Sequence, residues 1–210
     1  PSTIWEWTAN RYPYIPTAVT LSIVSSSAQD WVWWTWIRIL ILQWLDVNWN
    51  EVSETITMNG TTPVVTTNVF KRIFRAYGDI SWTTQSNVWV INVTASWVQV
   101  LTIPAWDWQT LMALWTVPRG KTAYITNGSF SSNSNKWSRV SLYVRANDWI
   151  IYPWLIKYRA FISGSNENFP FSIPFEIPEK TDIEIRVNTP SSAGTTSAGA
   201  TFEGWYEVTA

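Results

Sequence analysis

Leu45-Asp46-Val47-Asn48-Trp49-Asn50-Glu51-Val52-Ser53-Glu54-Thr55-Ile56-Thr57 reads as a β-hairpin with one residue out of place. Glu51 to Thr57 is a strand-like run, and Asn48-Trp49 stands before it where a hairpin calls for Asn-Gly and φ > 0. A bulky ring is a poor choice there, since its Cβ clashes with the backbone at positive φ. With glycine at 49 the segment becomes an ordinary hairpin. The same pattern recurs at Asp30-Trp31, Ser81-Trp82, Ser96-Trp97, Lys136-Trp137, Asp148-Trp149 and Ala105-Trp106-Asp107-Trp108. Each pairs a polar or small residue with Trp between apolar alternations, and each turns into a normal β-turn if Trp is read as Gly.

The whole chain carries the same signature. It has 18 Trp and 8 Gly in 210 residues, where average usage would give roughly fifteen Gly. The excess and the deficit nearly match. A codon explains both: UGA read as tryptophan in a gene whose own host reads UGA as glycine. On that reading Trp7, Trp31, Trp33, Trp34, Trp36, Trp44, Trp49, Trp82, Trp89, Trp97, Trp106, Trp108, Trp137 and Trp149 stand for glycine. Trp5, Trp115, Trp154 and Trp205, among apolar or aromatic neighbours, stand for themselves. The alternative is a chain truly rich in Trp, with a large aromatic core or with rings that stack on sugars or sit at a membrane interface. Trp31 to Leu45 shows the difference. As written it resembles an interfacial anchor, too short to span a bilayer and interrupted by Thr35, Arg38 and Gln43. With glycine it is a loop running into a strand from Ile37 to Gln43.

Composition excludes several classes of function. There is no Cys and no His, which removes disulfides, thiolate metal sites, Cys nucleophiles and the commonest general base. A net charge of −1 with 14 basic residues gives no electrostatic footprint for nucleic acid. Lys71, Arg72 and Arg75 form the one basic cluster, which a solvated strand edge explains. No signal peptide or membrane-spanning helix is visible in the sequence, and no membrane partner is expected.

The dominant period is two. Ala18 to Val24, Ile37 to Gln43, Glu51 to Met58, Val69 to Ile80, Val88 to Ala95, Val98 to Pro104, Thr110 to Val117 and Thr122 to Thr126 read as strands. So do Arg139 to Arg145, Ile150 to Ile162, Phe171 to Ile177, Ile183 to Val187 and Ala200 to Val208, with Pro170, Pro174 and Pro178 confining their segment to an edge or a connection. No segment holds a helical period over three turns. The expected fold is an all-β, two-sheet antiparallel β-sandwich of jelly-roll type over 18–210, or two subdomains divided near 81–97. Residues 1–17, with Pro1, Pro13 and Pro16, read as an extended N-terminal arm, and Thr189 to Ala200 as a mobile loop or hairpin tip.

No residue set predicts catalysis, a cofactor or a metal. Glu51 and Glu54 lie three apart on a strand and point to opposite faces, so they do not converge on one bond as a glycosidase pair must. Glu179, Asp182 and Glu184 offer oxygen ligands without the dense Asp/Asn/Gly loop of a calcium site. Ser25-Ser26-Ser27 has no base to activate it. Asp107 reads as a turn residue if Trp106 and Trp108 are glycine, and as part of a sugar-stacking platform if they are Trp.

Four stretches resemble a known group. Tyr12-Pro13-Tyr14; Ser25-Ser26-Ser27-Ala28-Gln29-Asp30; Leu45 to Asn48 with Glu51 to Thr62; and Gln109-Thr110-Leu111-Met112-Ala113-Leu114-Trp115-Thr116-Val117-Pro118-Arg119-Gly120-Lys121-Thr122-Ala123-Tyr124 are similar to recurring stretches of tailed-bacteriophage virion structural proteins, many from marine and metagenomic genomes. Ile177-Pro178-Glu179-Lys180-Thr181-Asp182-Ile183-Glu184-Ile185-Arg186 extends the resemblance toward the C-terminus. The group has Gly where Trp33, Trp34, Trp36, Trp44, Trp106 and Trp108 stand. The resemblance implies a non-enzymatic virion component on the outer surface of a phage head or tail. The role it favours is a capsid decoration or cement protein bound to the major capsid protein or other virion proteins, as a homo-oligomer such as a trimer. Ile4, Trp5, Tyr12 and Tyr14 of the arm are the candidate interface anchors, unless the arm folds back on its own sheets. A tail, neck or fibre component and a carbohydrate-binding adhesion module are the alternatives.

Overall fold

The structure, a computed structural model, describes residues 2–5, 11–30, 37–80, 87, 89–133, 137–147, 153–163, 166–188 and 198–209. It is all-β and antiparallel; the described residues hold strands and no helix. Trp7, Trp31, Trp33, Trp34, Trp36, Trp82 and Trp149 lie outside the described residues, as does most of the expected loop Thr189 to Ala200. The strands fall in two compact units, one comprising Tyr12–Met112 and the other Ala113–Ala210 with Pro1–Trp5. The division therefore sits at Met112/Ala113, in place of one sandwich over 18–210 or a split near 81–97.

In the first unit β2 (Leu21–Ser25), β5 (Val64–Val65), β7 (Ile91–Ala95) and β8 (Val98–Ile103) form a sheet in the order β5-β2-β7-β8. β3 (Ile39–Leu45), β4 (Glu51–Thr57) and β6 (Arg72–Ile80) form the second, in the order β4-β3-β6. Period-two burial is visible in the sequence itself: Leu21, Ile23, Ile91, Val93 and Ala95 are buried while the residues between them are less so. On β3 the buried set is Leu40, Leu42, Trp44 and Leu45. Full burial of each such aliphatic side chain is worth about 1.5–3 kcal/mol.

Hairpin chemistry fixes the registers. β7 and β8 pair Ala95 with Val98, leaving Ser96-Trp97 as a two-residue loop whose φ values are 46° and 72°. Positive φ at both loop residues defines a type I′ turn, whose twist matches that of the strands. β3 and β4 pair Leu45 with Glu51. The Asp46 carboxylate accepts from Asn48 N (2.8 Å) and Asn50 N (2.9 Å), and Trp49 N donates to Asp46 O at 3.1 Å. Trp49, at φ 67°, closes that loop in the left-handed conformation.

The second unit is a sandwich. β14 (Thr181–Asn188) pairs with β11 (Ser138–Ala146) on one side, and β11 with β12 (Leu155–Ile162). The other side of β14 is shared end to end by β1 (Ser2–Thr3) and β9 (Leu114–Thr116). The opposing sheet runs β13-β10-β15, from β13 (Asn166–Ile177), β10 (Lys121–Ser132) and β15 (Ala198–Val208). Between them lies one core: Ile125 and Phe130 of β10, Val140 and Leu142 of β11, and Ile183 and Ile185 of β14, with Phe171 and Phe202 packed against it. Pro170 and Pro174 sit on β13, which is an edge strand as their missing N–H groups require. A register shift between Ile125 and Asn127 places Gly204 so close to β10 that a Cβ there would lie 2.1 Å from the Tyr124 carbonyl oxygen. Residues 1–17 are thus not wholly an arm outside the sheets, because Ser2 and Thr3 pair with Val187 and Arg186.

Candidate interaction surface

The four candidate anchors are bound to their own units. Ile4 N donates to Ile185 O at 3.0 Å and Ile4 O accepts from Ala113 N at 3.0 Å, while its side chain packs against the second unit's core. Trp5 is buried. In the first unit Tyr12 is buried, its hydroxyl donating to Ile73 O at 3.4 Å. Tyr14 meets it edge-on, ring centroids 4.9 Å apart. The fold-back arrangement accounts for these side chains, and none of Trp5, Tyr12 or Ile4 is presented as an outward hook.

The basic cluster is equally occupied. Arg72 is buried, donates to Ile15 O at 3.1 Å and lies 5.1 Å from the Tyr14 ring and 5.2 Å from the Trp49 ring. Lys71 donates to Pro16 O, and Arg75 donates to Gln109 Oε1 at 3.0 Å. These cations stitch the segment 12–17 and neighbouring loops onto β6.

Carboxylates with catalytic or metal-binding potential are committed to structure. Glu54 accepts from the backbone N–H of Thr67 (2.7 Å) and Asn68 (3.1 Å), pinning the turn after β5. Ser25 donates its hydroxyl to Asp30, while Ser27 N donates to Ser25 Oγ at 3.1 Å. Asp30 is fully buried, and desolvation raises its carboxyl above the ordinary value against the opposing Ser25 bond. Asp107 is a turn residue, donating its N–H to Pro104 O at 3.4 Å. Asn87 organises that loop: its Nδ2 donates to Trp89 O (2.7 Å) and Pro104 O (2.6 Å), and its Oδ1 accepts from Trp108 N at 3.0 Å.

Asp182 and Glu184 belong to a charged row on β14 whose burial the sequence does not reveal. Asp182, Glu184 and Arg186 alternate along one face, opposite the core residues Ile183 and Ile185, and all three are buried. Arg145 Nη2 meets Asp182 Oδ2 at 2.7 Å, and Thr116 Oγ1 donates to Asp182 Oδ1 at 2.7 Å. Arg186 pairs with Glu184, which also accepts from Thr3 Oγ1 at 3.5 Å. Trp154 covers the pairs: Arg145 lies 4.6 Å and Arg186 4.4 Å from its ring. Each buried carboxylate therefore has a guanidinium, which makes the row a structural ion-pair network. Glu179 is tied separately, held below its ordinary value by the Gly120 N–H and by Lys180. Among the described residues no three potential ligands gather around a metal position.

What remains available for contact is aromatic and apolar. Trp205 and Tyr124 stack at 5.4 Å with planes 22° apart on the outer face of the β13-β10-β15 sheet. Glu176 and Glu207, paired opposite Tyr124 and Thr122, frame them with Glu203 two residues from Trp205. On the inner side Trp115 stacks with Tyr206 at 6.3 Å, lining an open hollow of about 200 Å³ with Ile125 and Phe202. At the far edge of the other sheet, β12 exposes Leu155 (57%), Ile156 (44%) and Phe161 (61%), with exposed Lys157 and Arg159 between Ile156 and Phe161. No protein-family model matches this sequence, and no curated protein or solved structure is similar enough to match it.

Proposed function

We propose that this chain is a non-enzymatic structural protein of a phage virion, a capsid decoration or cement protein that works as a homo-oligomer bound to the major capsid protein. The observation that carries the reading is the edge strand β12, which among the described residues pairs only with β11 and exposes Leu155, Ile156 and Phe161. A long apolar edge is an aggregation hazard in a free monomer and a ready interface in an assembly. Lys157 and Arg159 discourage random pairing along that edge. They also complement Glu176, Glu203 and Glu207 on the aromatic face of the opposing sheet. Two different patches that match each other in charge suit a heterologous, ring-closing contact between copies, such as a trimer. The resemblance of the strand-and-turn stretches to virion proteins supports the same role.

Size-exclusion chromatography with light scattering tests it. A defined oligomer that Phe161→Glu or Arg159→Glu reduces to monomer is expected, together with retention on purified capsids. A parent chain that stays monomeric and leaves capsids unbound would reject the role. Imaging of the particle separates the head position from a tail, neck or fibre position.

A second reading, a carbohydrate-binding adhesion module, is favoured by the Trp205–Tyr124 stack beside carboxylates, which is the chemistry that holds a sugar ring. Glycan-array binding abolished by Trp205→Ala would establish it, and a blank array would remove it.

A further inference from the structure

Tryptophan accounts for 18 of 210 residues, yet it supplies four of the six non-glycine residues with positive φ among the described residues. These are Trp49 (67°), Trp97 (72°), Trp106 (75°) and Trp108 (62°). The true glycines Gly60 and Gly120 have φ of 57° and 71°, the same conformation. For a bulky side chain this region is an outlier, whereas glycine enters it freely.

Each of the four sits at the place in its turn where glycine belongs. Trp97 is the second residue of the type I′ loop between β7 and β8, the position filled by Gly in Asn-Gly hairpins. Trp49 follows Val47 and Asn48 in a three-residue loop closed by Asp46 N to Asn50 O at 3.0 Å, the left-handed place of a G1-bulge hairpin. Trp106 is the third residue of the Pro104–Asp107 turn, where positive φ after a Pro-initiated start calls for glycine. Trp108 is the centre of a three-residue turn closed by Gln109 N to Asp107 O at 2.7 Å, the positive-φ γ-turn. Ring packing does not repay the strain at two of them, since Trp97 is 98% exposed and Trp106 62%. Ser96 and Lys180 complete the positive-φ set, and neither carries a ring.

The tryptophans expected to stand for themselves behave in the opposite way. Trp5, Trp115, Trp154 and Trp205 are absent from the positive-φ set. Trp5 is buried, and the other three stack on Tyr206, on arginines, or on Tyr124. Trp44, Trp89 and Trp137, also expected to stand for glycine, are absent from the positive-φ set: Trp44 is fully buried in the regular strand β3 with no hydrogen-bond partner for its Nε1, and Trp89 and Trp137 are exposed. We infer that residues 49, 97, 106 and 108 are glycine in the protein as its own host makes it, their codons being UGA read by a glycine-charged tRNA. One codon shared by the four turn sites accounts for a residue-specific clustering that turn sterics alone do not.

Two measurements test this, and both are independent of the virion role. Peptide mass spectrometry on the protein isolated from its natural source, with Gly and Trp both allowed, is expected to give glycine at all four positions and tryptophan at 5, 115, 154 and 205. The gene is expected to carry UGA at the first set and UGG at the second. Tryptophan masses or UGG codons at the four turn sites would overturn the inference. Recombinant chains with either residue at all four sites provide a folded-state readout: the glycine form is expected to melt at the higher temperature, and an equal or lower midpoint counts against it.

Discussion

At the residue scale, backbone strain and buried charge set the expected responses. Trp97 combines φ 72° with a ring almost wholly in water. Left-handed strain costs of order 1–3 kcal/mol, part of which is returned as the greater unfolded-state entropy of glycine. Trp97→Gly is therefore expected to stabilise the first unit by about 1 kcal/mol in urea titration, and a loss of stability would refute this account of the loop. Trp49→Gly should gain less, because its ring lies 5.2 Å from Arg72. Asp30 gives a pH signature. Burial raises its carboxyl above the ordinary 3.8, so the folded state holds the proton more tightly than the unfolded one. Its contribution is then complete below that value and falls as pH rises through the folded-state value. Asp30→Asn is expected to gain on the parent as pH rises above the ordinary 3.8; melting curves that stay parallel as pH rises would contradict the burial argument. Glu179 runs the other way. Held below the ordinary 4.5, it contributes above that pH and loses the contribution as pH falls through its folded-state value. Glu179→Gln should flatten the acid limb of the melting profile.

At the element scale, strand identity was legible and strand placement only partly so. Pro170 and Pro174 predicted an edge or a connection, and β13 is an edge strand. Glu51 and Glu54 share strand β4, but nothing near them in sequence said that Glu54 would hold the N–H groups of Thr67 and Asn68. Thr110 to Val117 reads as one strand, whereas only Leu114–Thr116 pairs, because Thr110 instead bonds Ala76. The β14 row was visible as alternation of Asp182, Glu184 and Arg186, yet alternation alone reads as a solvated face; their burial follows from Trp154 lying over the arginines. Removing one partner strands a buried charge, so Asp182→Ala is expected to cost about 3–5 kcal/mol in chemical denaturation. A change under about 1 kcal/mol would place the pair among solvent-screened surface bridges.

At the scale of the whole molecule, the chain forms two compact units. Leu142 of β11 lies in the core of the second unit, which also holds residues of β10 and β14. Leu142→Ala is expected to destabilise that unit by about 2–5 kcal/mol. Hydrogen exchange should then accelerate in β10, β11 and β14 while amides of β2 and β7 keep their protection; uniform acceleration would show one cooperative molecule. The placement of the aromatic side chains of 1–17 also depends on tertiary packing. Aromatic residues in 1–17 suggested outward anchors, whereas Trp5 and Tyr12 are buried, and exposed apolar side chains stand on β12, β13 and β15. Sequence alone does not distinguish a hydrophobic residue that covers its own fold from one that awaits a neighbour.

The sequence by itself determined the all-β class, most strand positions and the turns, because period-two alternation and turn chemistry act over a few residues. It also marked Trp49, Trp97, Trp106 and Trp108 as misfits, since φ in a tight turn is a local quantity. Only the tertiary structure decided that Thr3 lies beside Arg186, that the chain divides at Met112/Ala113, and that the carboxylates of β14 are spent on arginines. Those outcomes depend on which strands pair across long sequence separations, and each strand's own pattern is compatible with many partners.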